Sequence, residues 1–506
     1  MNSIFRKKHH QIIVFIVIAI FILTGCSIKS DDDNSGTYGS ATEITKKVMG
    51  SISLFTTEVD SLNPLKTKNY YMTAFLGIVY EGLVKNNAKF DATPLLAESW
   101  TSSNQNKKWD FKLKKGIKWH NNTDFSIEDV IQTVRHISSS NYNGQYKQLL
   151  FGLKAVNKVD ANTISFILNR SDPVFDSKMI FPIMNSNDIK FNMKSIKFKP
   201  IGTGPYKFRS TKDGRILLDR NTSYHDAMPF IKSIELKKYN SPNAALGGFL
   251  RGEIDVFLSS NYSSVAEIKN GYNLFDSFSN NFDFLQINTN NSLLKNEGLR
   301  KAMALAINKK SLVNMFFKND AQAINLPNIL DNRFDSSFAY QLDLARDFLS
   351  NSKWDSKNKL EIIVSKFDLK KGLVAEEIQK SLLVIGIETK INKLTSNDVR
   401  NRISSGNYQI ALIGYSAPSN KDFRFLTNQF QNDTFAKQVY SWAVDSNLET
   451  RITKYNDLIP EIAALNPFIT LYQFKRTILS NRRIIGTLSS DERFPYNSIA
   501  ECSVSY

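Results

Sequence analysis

Residues that carry chemistry are scarce in this chain. Two cysteines, Cys26 and Cys502, occur in 506 residues, too few for a disulfide framework. Of five histidines, His9 and His10 lie in the first ten residues. The others, His120, His136 and His225, have no second ligand at metal-motif spacing, and neither HExxH nor CxxC occurs. No metal site and no cofactor is expected. There is no GxSxG elbow, and no carboxylate pair stands out as an acid–base couple. Cys502 has no base near it in sequence and reads as a buried apolar filler. These absences leave no catalytic residue to name, and beside the export signal and lipid anchor expected at the N-terminus they tilt the expectation towards binding rather than turnover. Fixed-period repeats and long low-complexity segments are also missing.

What is present begins at the N-terminus. Arg6, Lys7 and Lys8 precede an apolar run from Ile12 to Leu23, which ends at Thr24, Gly25 and Cys26. The run is shorter than the roughly 20 apolar residues that span a bilayer. A basic start, a short apolar middle and a small-residue ending are the marks of a secretory leader. Leu23-Thr24-Gly25-Cys26 also fits the lipobox, in which cleavage precedes a cysteine that then carries lipid. Residues 1–25 are therefore expected to be a lipoprotein signal peptide and Cys26 the lipidation site. Residues 26–46 are polar and poor in large apolar side chains, as a flexible tether would be. The expected location is the cell membrane, lipid-anchored, on its extracellular face or periplasmic side.

The formal charge is +17, from 65 basic and 48 acidic residues. The lysines are scattered, and clusters such as Lys112-Lys114-Lys115, Lys237-Lys238 and Lys370-Lys371 are short. They read as solvated faces, and no nucleic-acid partner is expected. An anionic envelope surface or acidic ligands fit the charge better. With Cys26 lipidated, stability must come from the core, and the length suits two or three domains.

Leu360 to Val364 reads as a buried strand. Ala375–Ile385 places Ile378, Leu382 and Ile385 at helical intervals, with Gly386 where a helix C-cap belongs. Ile387 to Ile391 alternates as a second strand. Strand, helix, strand makes a βαβ unit, so the class is α/β with a parallel component. Leu299–Ile307 is a second expected helix, rich in strong helix formers. The motif Gly202-Thr203-Gly204-Pro205-Tyr206-Lys207 lacks the third glycine of a dinucleotide loop and the Gly-Lys-Ser/Thr of a phosphate loop. It reads as a turn feeding a strand.

An ordered series of motifs resembles the family 5 extracellular solute-binding proteins, the oligopeptide- and dipeptide-binding receptors of ABC importers. Asp60-Ser61-Leu62-Asn63-Pro64-Leu65 is similar to the family's opening, followed by Tyr80-Glu81-Gly82-Leu83 and Leu96-Ala97-Glu98-Ser99-Trp100. The block from Trp109 to Gly116, continuing through Trp119-His120 to Phe125-Ser126-Ile127-Glu128-Asp129-Val130, is the most specific. Pro200 to Tyr206 matches the GTGPY turn. Leu218 to Asn221, Gly252 to Val256, Phe284 to Thr289, Arg300-Lys301-Ala302 and Pro467 to Tyr472 complete the order. The resemblance implies a two-lobed, periplasmic-binding-protein-like α/β fold of the type II large cluster, with the ligand in a cleft between hinged lobes. The implied plan is a first lobe over 47–280 with an inserted subdomain at about 88–199, a second lobe over 281–474, and a return to the first over 475–506. Implied partners are a small solute, first of all an oligopeptide, and the permease and ATPase of an ABC importer; the receptor would be a monomer.

The family's ligand-clamping segment reads roughly G-W-x-x-D-Y, its aspartate pairing with the peptide amino terminus. Here Gly414-Tyr415-Ser416-Ala417-Pro418-Ser419-Asn420-Lys421-Asp422 stands in its place. Tyr415 replaces the tryptophan and Pro418 the aspartate. A buried ammonium without a counter-charge costs several kcal/mol. Either the ligand has no free α-amino group there, or Asp422 or another carboxylate substitutes. Tyr415 is the expected cleft aromatic. Ser416 and Ala417 are expected to offer backbone groups to an extended ligand, with Pro418, Asp422 and Asn63 completing the expected ligand site. Trp109 and Trp119 are expected in the core. The alternatives are a receptor for a sugar, a nickel chelate or another solute, a peptide-sensing signalling receptor, and a secreted hydrolase.

Overall fold

A computed structural model describes residues 50–506 except 88–90, 190–197, 260–267, 269–270, 319, 327–338, 417–432, 446, 489–493 and 506. All of these belong to the larger of two compact units, Lys47–Tyr506. Cys26 and the leader lie outside the described residues, as do Ala417, Pro418 and Asp422.

The chain enters through β1 (Ser51–Thr56) and α1 (Tyr70–Leu76), the latter capped by Asn69, whose side chain accepts from the Tyr71 and Met72 amides. A short ribbon, β2 (Val84–Asn86) and β3 (Ala92–Pro94), leads to β4 (Ala97–Ser103), β5 (Lys108–Leu113), α2 (Ile127–Ser138), β6 (Leu153–Lys158) and β7 (Thr163–Leu168). β4, β5, β7 and β6 form an antiparallel sheet in that order. β8 (Tyr206–Lys212), β9 (Arg215–Arg220) and β10 (Ser233–Lys238) then rejoin β1, which pairs in parallel with β10. α3 (Pro242–Leu250) and β11 (Val256–Leu258) close this half. Its core runs from Ile52 to Leu258 and takes in Ile478 to Cys502 from the chain's end. Trp109 and Trp119 lie in it, as does the fully buried Cys502.

The second half starts with the 16-residue β12 (Tyr272–Ile287). α4 (Glu297–Ala306), α5 (Lys309–Phe316), β13 (Ala321–Ala323) and α6 (Leu342–Asn351) follow. Then come β14 (Lys359–Ser365), α7 (Leu369–Leu383), β15 (Glu388–Leu394), α8 (Ser396–Ser404) and β16 (Ile410–Ser416). α9 (Asp433–Ala443), α10 (Leu448–Leu465), the 14-residue β17 (Phe468–Asn481), β18 (Ile484–Ile485) and β19 (Ser503–Val504) end the chain. The seven-stranded sheet has the order β11-β17-β12-β16-β14-β15, with β13 on β17. β14 pairs in parallel with both β15 and β16, so the expected βαβ unit is present. Its helix begins six residues before the expected Ala375, because Asp368 caps it by accepting from the Lys371 amide at 3.0 Å. Gly386 sits beyond its end with φ +89°.

Several of the motifs turn out to be ties. Asp129 is 2% exposed; one of its carboxylate oxygens accepts from the Ser126 amide at 2.8 Å and from Trp119 Nε1 at 3.3 Å. The other accepts from the Ser186 amide at 2.7 Å, so a single carboxylate starts α2 and fixes two distant segments. The GTGPY turn runs against residues 78–80. A Cβ on Gly202 would lie 1.7 Å from the Val79 carbonyl oxygen, which leaves glycine alone at that position. His120 clasps the same turn. Its Nδ1 accepts from the Gly202 amide at 3.2 Å and its Nε2 donates to the Gly204 carbonyl at 2.9 Å. An imidazole that accepts at Nδ1 is neutral, and burial pushes its pKa down to about 4. Glu81 of the YEGL motif accepts from Tyr224 Oη at 2.7 Å and meets His225 Nε2 at 2.9 Å.

The His120 pKa of about 4, against 6.5 for a free imidazole, sets a pH dependence. Between those values the unfolded chain takes up a proton that the folded one refuses, so stability falls as pH drops from 6.5 towards 4. The loss is about 3 kcal/mol in total. His120→Gln should destabilise the protein at pH 7, and the gap from the parent in urea denaturation should narrow by pH 4. A gap that stays constant over this range would count against a buried neutral imidazole.

Candidate functional site

Two strands pass from one half to the other. β17 contributes Ile478 and Leu479 to the first core and Ile469, Leu471 and Tyr472 to the second. β12 packs Tyr272 and Phe275 on the first core and places Leu285 and Ile287 in the second. Between them the ladder shifts register from Phe278 to Phe282 and again at Asp283/Phe284. Ser279, Asn280, Gln473, Arg476 and Thr477 are buried along this crossing. Gln473 Nε2 donates to the Ser279 carbonyl at 2.8 Å, and Ser279 Oγ donates to the Phe474 carbonyl at 3.1 Å. The Arg476 guanidinium stands 5.1 Å from the Tyr70 ring centre, joining β17 to α1 of the first half. A bulged, polar two-strand crossing between separate cores is a hinge in construction.

The parallel strands β14, β15 and β16 point their carboxyl ends the same way, and crevices outside such ends are the usual place for ligands. Tyr415 and Ser416 are the last residues of β16, paired with Phe282 and Asn281 of β12. Tyr415 is half-buried, its ring 5.5 Å from that of Phe282, and Ser416 is exposed. Asn63 is placed differently. It is 2% exposed, its Oδ1 accepts from the Leu65 amide at 2.9 Å, and its carbonyl accepts from Lys66 and Thr67. The structure gives it a place in the frame of its own turn.

One step along the ladder from Tyr415, where Asp283 pairs with Gly414, lies a charged group with no local signature in the motifs. Asp283 is 2% exposed; its Oδ1 lies 3.1 Å from Lys371 Nζ, and its Oδ2 accepts from Tyr472 Oη at 3.0 Å. Burial pushes the carboxyl up to about 6, and the lysine and tyrosine oppose that rise. Gly414 makes room for the pair. A Cβ there would lie 2.7 Å from Asp283 Oδ1 and 3.0 Å from Lys371 Nζ. The signal was available, because Asp283 interrupts an otherwise apolar stretch, Phe282 to Leu285, and a charge in a buried strand needs a partner.

At the opposite, amino-terminal edge of β14 and β16 is an open polar hollow of about 470 Å³ that includes Asn288, Glu361, Arg402 and Asn407. Its side chains are bonded into the frame: Asn288 Nδ2 donates to the Gly406 and Tyr408 carbonyls, and Arg402 pairs with Glu361. Among the described residues no group of three or more His, Cys, Asp or Glu is placed to hold a metal ion. No described helix is long and apolar enough to cross a membrane.

A model of the bacterial extracellular solute-binding proteins, family 5 (middle part), matches residues 91–437, more than half of the chain. Oligopeptide-binding protein AppA of Bacillus subtilis (strain 168) is 26% identical over 460 residues, 84% of this chain and 81% of its own. The nickel-binding periplasmic protein of Escherichia coli (strain K12) is 27% identical over 275 residues, covering 50% of this chain and 51% of its own. Among solved structures, HbpA2 from Haemophilus parasuis has a similar fold, with a TM-score of 0.77 at 20% identity over 90% of this chain and 100% of that one.

Gly414→Ala should destabilise the protein by about 1 kcal/mol, since the added methyl crowds the ends of the Asp283 and Lys371 side chains and makes them shift. Gly414 needs no left-handed backbone, so the cost is steric. In Asp283→Ala, which opens space, the same change should cost much less. Equal costs in the two backgrounds, measured as a double-mutant cycle in urea, would refute the coupling.

Proposed function

Because the chain belongs to the bacterial extracellular solute-binding proteins of family 5, we propose that it is a lipid-anchored receptor that captures oligopeptides for an ABC importer. Proteins of this family are substrate-binding receptors of ABC transporters and carry out no catalysis. Lipid on Cys26 holds the mature chain at the outer face of the cell membrane, and the receptor works as a monomer. The observation that carries the peptide reading is the relative named for oligopeptides, which aligns with 84% of this chain. The site chemistry is compatible with it. β16 ends in the half-buried Tyr415 and the exposed Ser416 at the carboxyl edge of the parallel strands. An extended ligand there gains main-chain hydrogen bonds from Ser416 and Ala417, and an aromatic surface from Tyr415. Enclosure between the lobes removes water from those bonds and strengthens them.

A second reading has its own support. Pro418 stands where the family's peptide receptors carry the aspartate for the amino terminus, and a relative that aligns with half of this chain is named for nickel. In that reading the same cleft holds a small non-peptide solute.

Native mass spectrometry of the soluble form beginning at Ser27, followed by denaturation, separates the two. Release of a mixture of short peptides is the expected result. A metal chelate or a sugar, with no binding of added peptides, would overturn the peptide reading. The anchor is tested apart from the ligand. Cys26→Ala should move the full chain from the membrane fraction to the medium or periplasm, and membrane retention without attached lipid would refute it.

A further inference from the structure

The two halves touch at a place to which neither β12 nor β17 contributes. Asn106 lies in the turn between β4 and β5, and its Nδ2 donates to the Val444 carbonyl at 3.2 Å. Ser171, just past β7, donates its hydroxyl to the same oxygen at 3.3 Å. Val444 follows the last residue of α9, where helix carbonyls have no partner of their own and carry the negative end of the dipole.

Both donors are aimed. Asn104, Gln105 and Asn106 have φ of 51°, 52° and 60°, three successive left-handed residues without a glycine. Such strain persists only where the surroundings enforce it, and it collects at functional positions. Here Asn106 Oδ1 accepts from Ser102 Oγ at 3.0 Å, which turns the NH2 group of the amide towards Val444. The Asn106 carbonyl accepts from Trp109 Nε1 at 3.1 Å and from the Asp172 amide at 3.2 Å. Asp172 is itself held by Lys178 at 2.5 Å, in an ion pair with side chains 3% and 7% exposed. The ion pair thereby fixes the neighbouring Ser171. Asn106 and Ser171 move with the first core, whereas Val444 adjoins Ala443 of the third, which lies in the second half. Rotation about the crossing strands must therefore make or break this contact.

We propose that Asn106 and Ser171 form a latch between the two halves, apart from the crossing strands. They are positioning residues that favour closure and raise ligand affinity without touching ligand. The inference rests on the receptor reading above, in which apparent affinity scales with the fraction of molecules able to close. The two donors share one acceptor, and losing both should shift the closed-to-open ratio by roughly three- to tenfold, the effect of about one net hydrogen bond.

The test needs no ligand. The soluble chain from Ser27, with Lys158→Cys and Lys380→Cys, carries a dye on each half, and the buried Cys502 stays unlabelled. Asn106→Asp keeps the side chain's size, its tolerance of left-handed backbone and its acceptor for Ser102, but sets an oxygen against the Val444 carbonyl. Combined with Ser171→Ala it should raise the low-transfer, open population in single-molecule energy transfer by that factor. Ser171→Ala alone, which leaves the strained turn intact, should move the distribution part of the way. Distributions that superimpose on the parent's overturn the latch, and so does a lowered melting temperature with no change in transfer. If no peptide is found in the cleft, the transfer result still stands on its own.

Discussion

Everything else in this fold depends on the pairing of β12 with β17. These strands are the longest in the described chain, and each feeds side chains into separate cores at its two ends. A continuous apolar ladder would have welded the cores together. The crossing instead interrupts its register at Phe278–Phe282 and buries polar residues bonded to one another. Hydrogen bonds can be exchanged as strands twist, whereas close-packed apolar side chains resist small displacement. The polar, bulged crossing keeps the halves connected without fusing their interiors.

Around that hinge, the motifs that mark the family are mostly structural ties. Arg300 illustrates this. It is 4% exposed, its Nε donates to the Leu465 carbonyl at the end of α10, and its Nη1 donates to the Leu294 carbonyl. One guanidinium satisfies acceptors from two segments that would otherwise be buried and unpaired. His120 on the GTGPY turn and Asp129 at the start of α2 do the same in the first lobe. Such residues identify a fold because any replacement strands several buried groups at once. They say little about what the cleft holds.

This division explains what could be read from the chain and what could not. The βαβ unit was legible because Leu360–Val364 and Ile378, Leu382 and Ile385 follow period rules that need no knowledge of distant partners. The start of α7 was missed because a cap, Asp368, outweighed the weaker apolar signal of Leu369–Leu373. Tyr415 was reached through the motif. Asn63 was also reached through its motif, and its Oδ1 accepts from the Leu65 amide of its own turn. The Asp283–Lys371–Tyr472 group joins residues far apart in sequence, and no local pattern links them. Only the oddity of a carboxylate inside an apolar strand pointed that way.

That group bears on where specificity resides. Asp283 ties β12 to the amino terminus of α7 through Lys371 and to β17 through Tyr472. Asp283 is the buried member of the pair, and Lys371 also lies 3.5 Å from Asp368, so the lysine draws the buried carboxylate into a small charge cluster at the start of α7. A side chain at Gly414 would press on the ends of the same two side chains, so a change there is coupled to the pair. The carboxyl end of β16 is thereby tied to both β12 and α7. If Tyr415 and Ser416 meet ligand as proposed, a change of ligand falls to side chains after Gly414, and in sequence that is the stretch where Pro418 departs from the family's pattern.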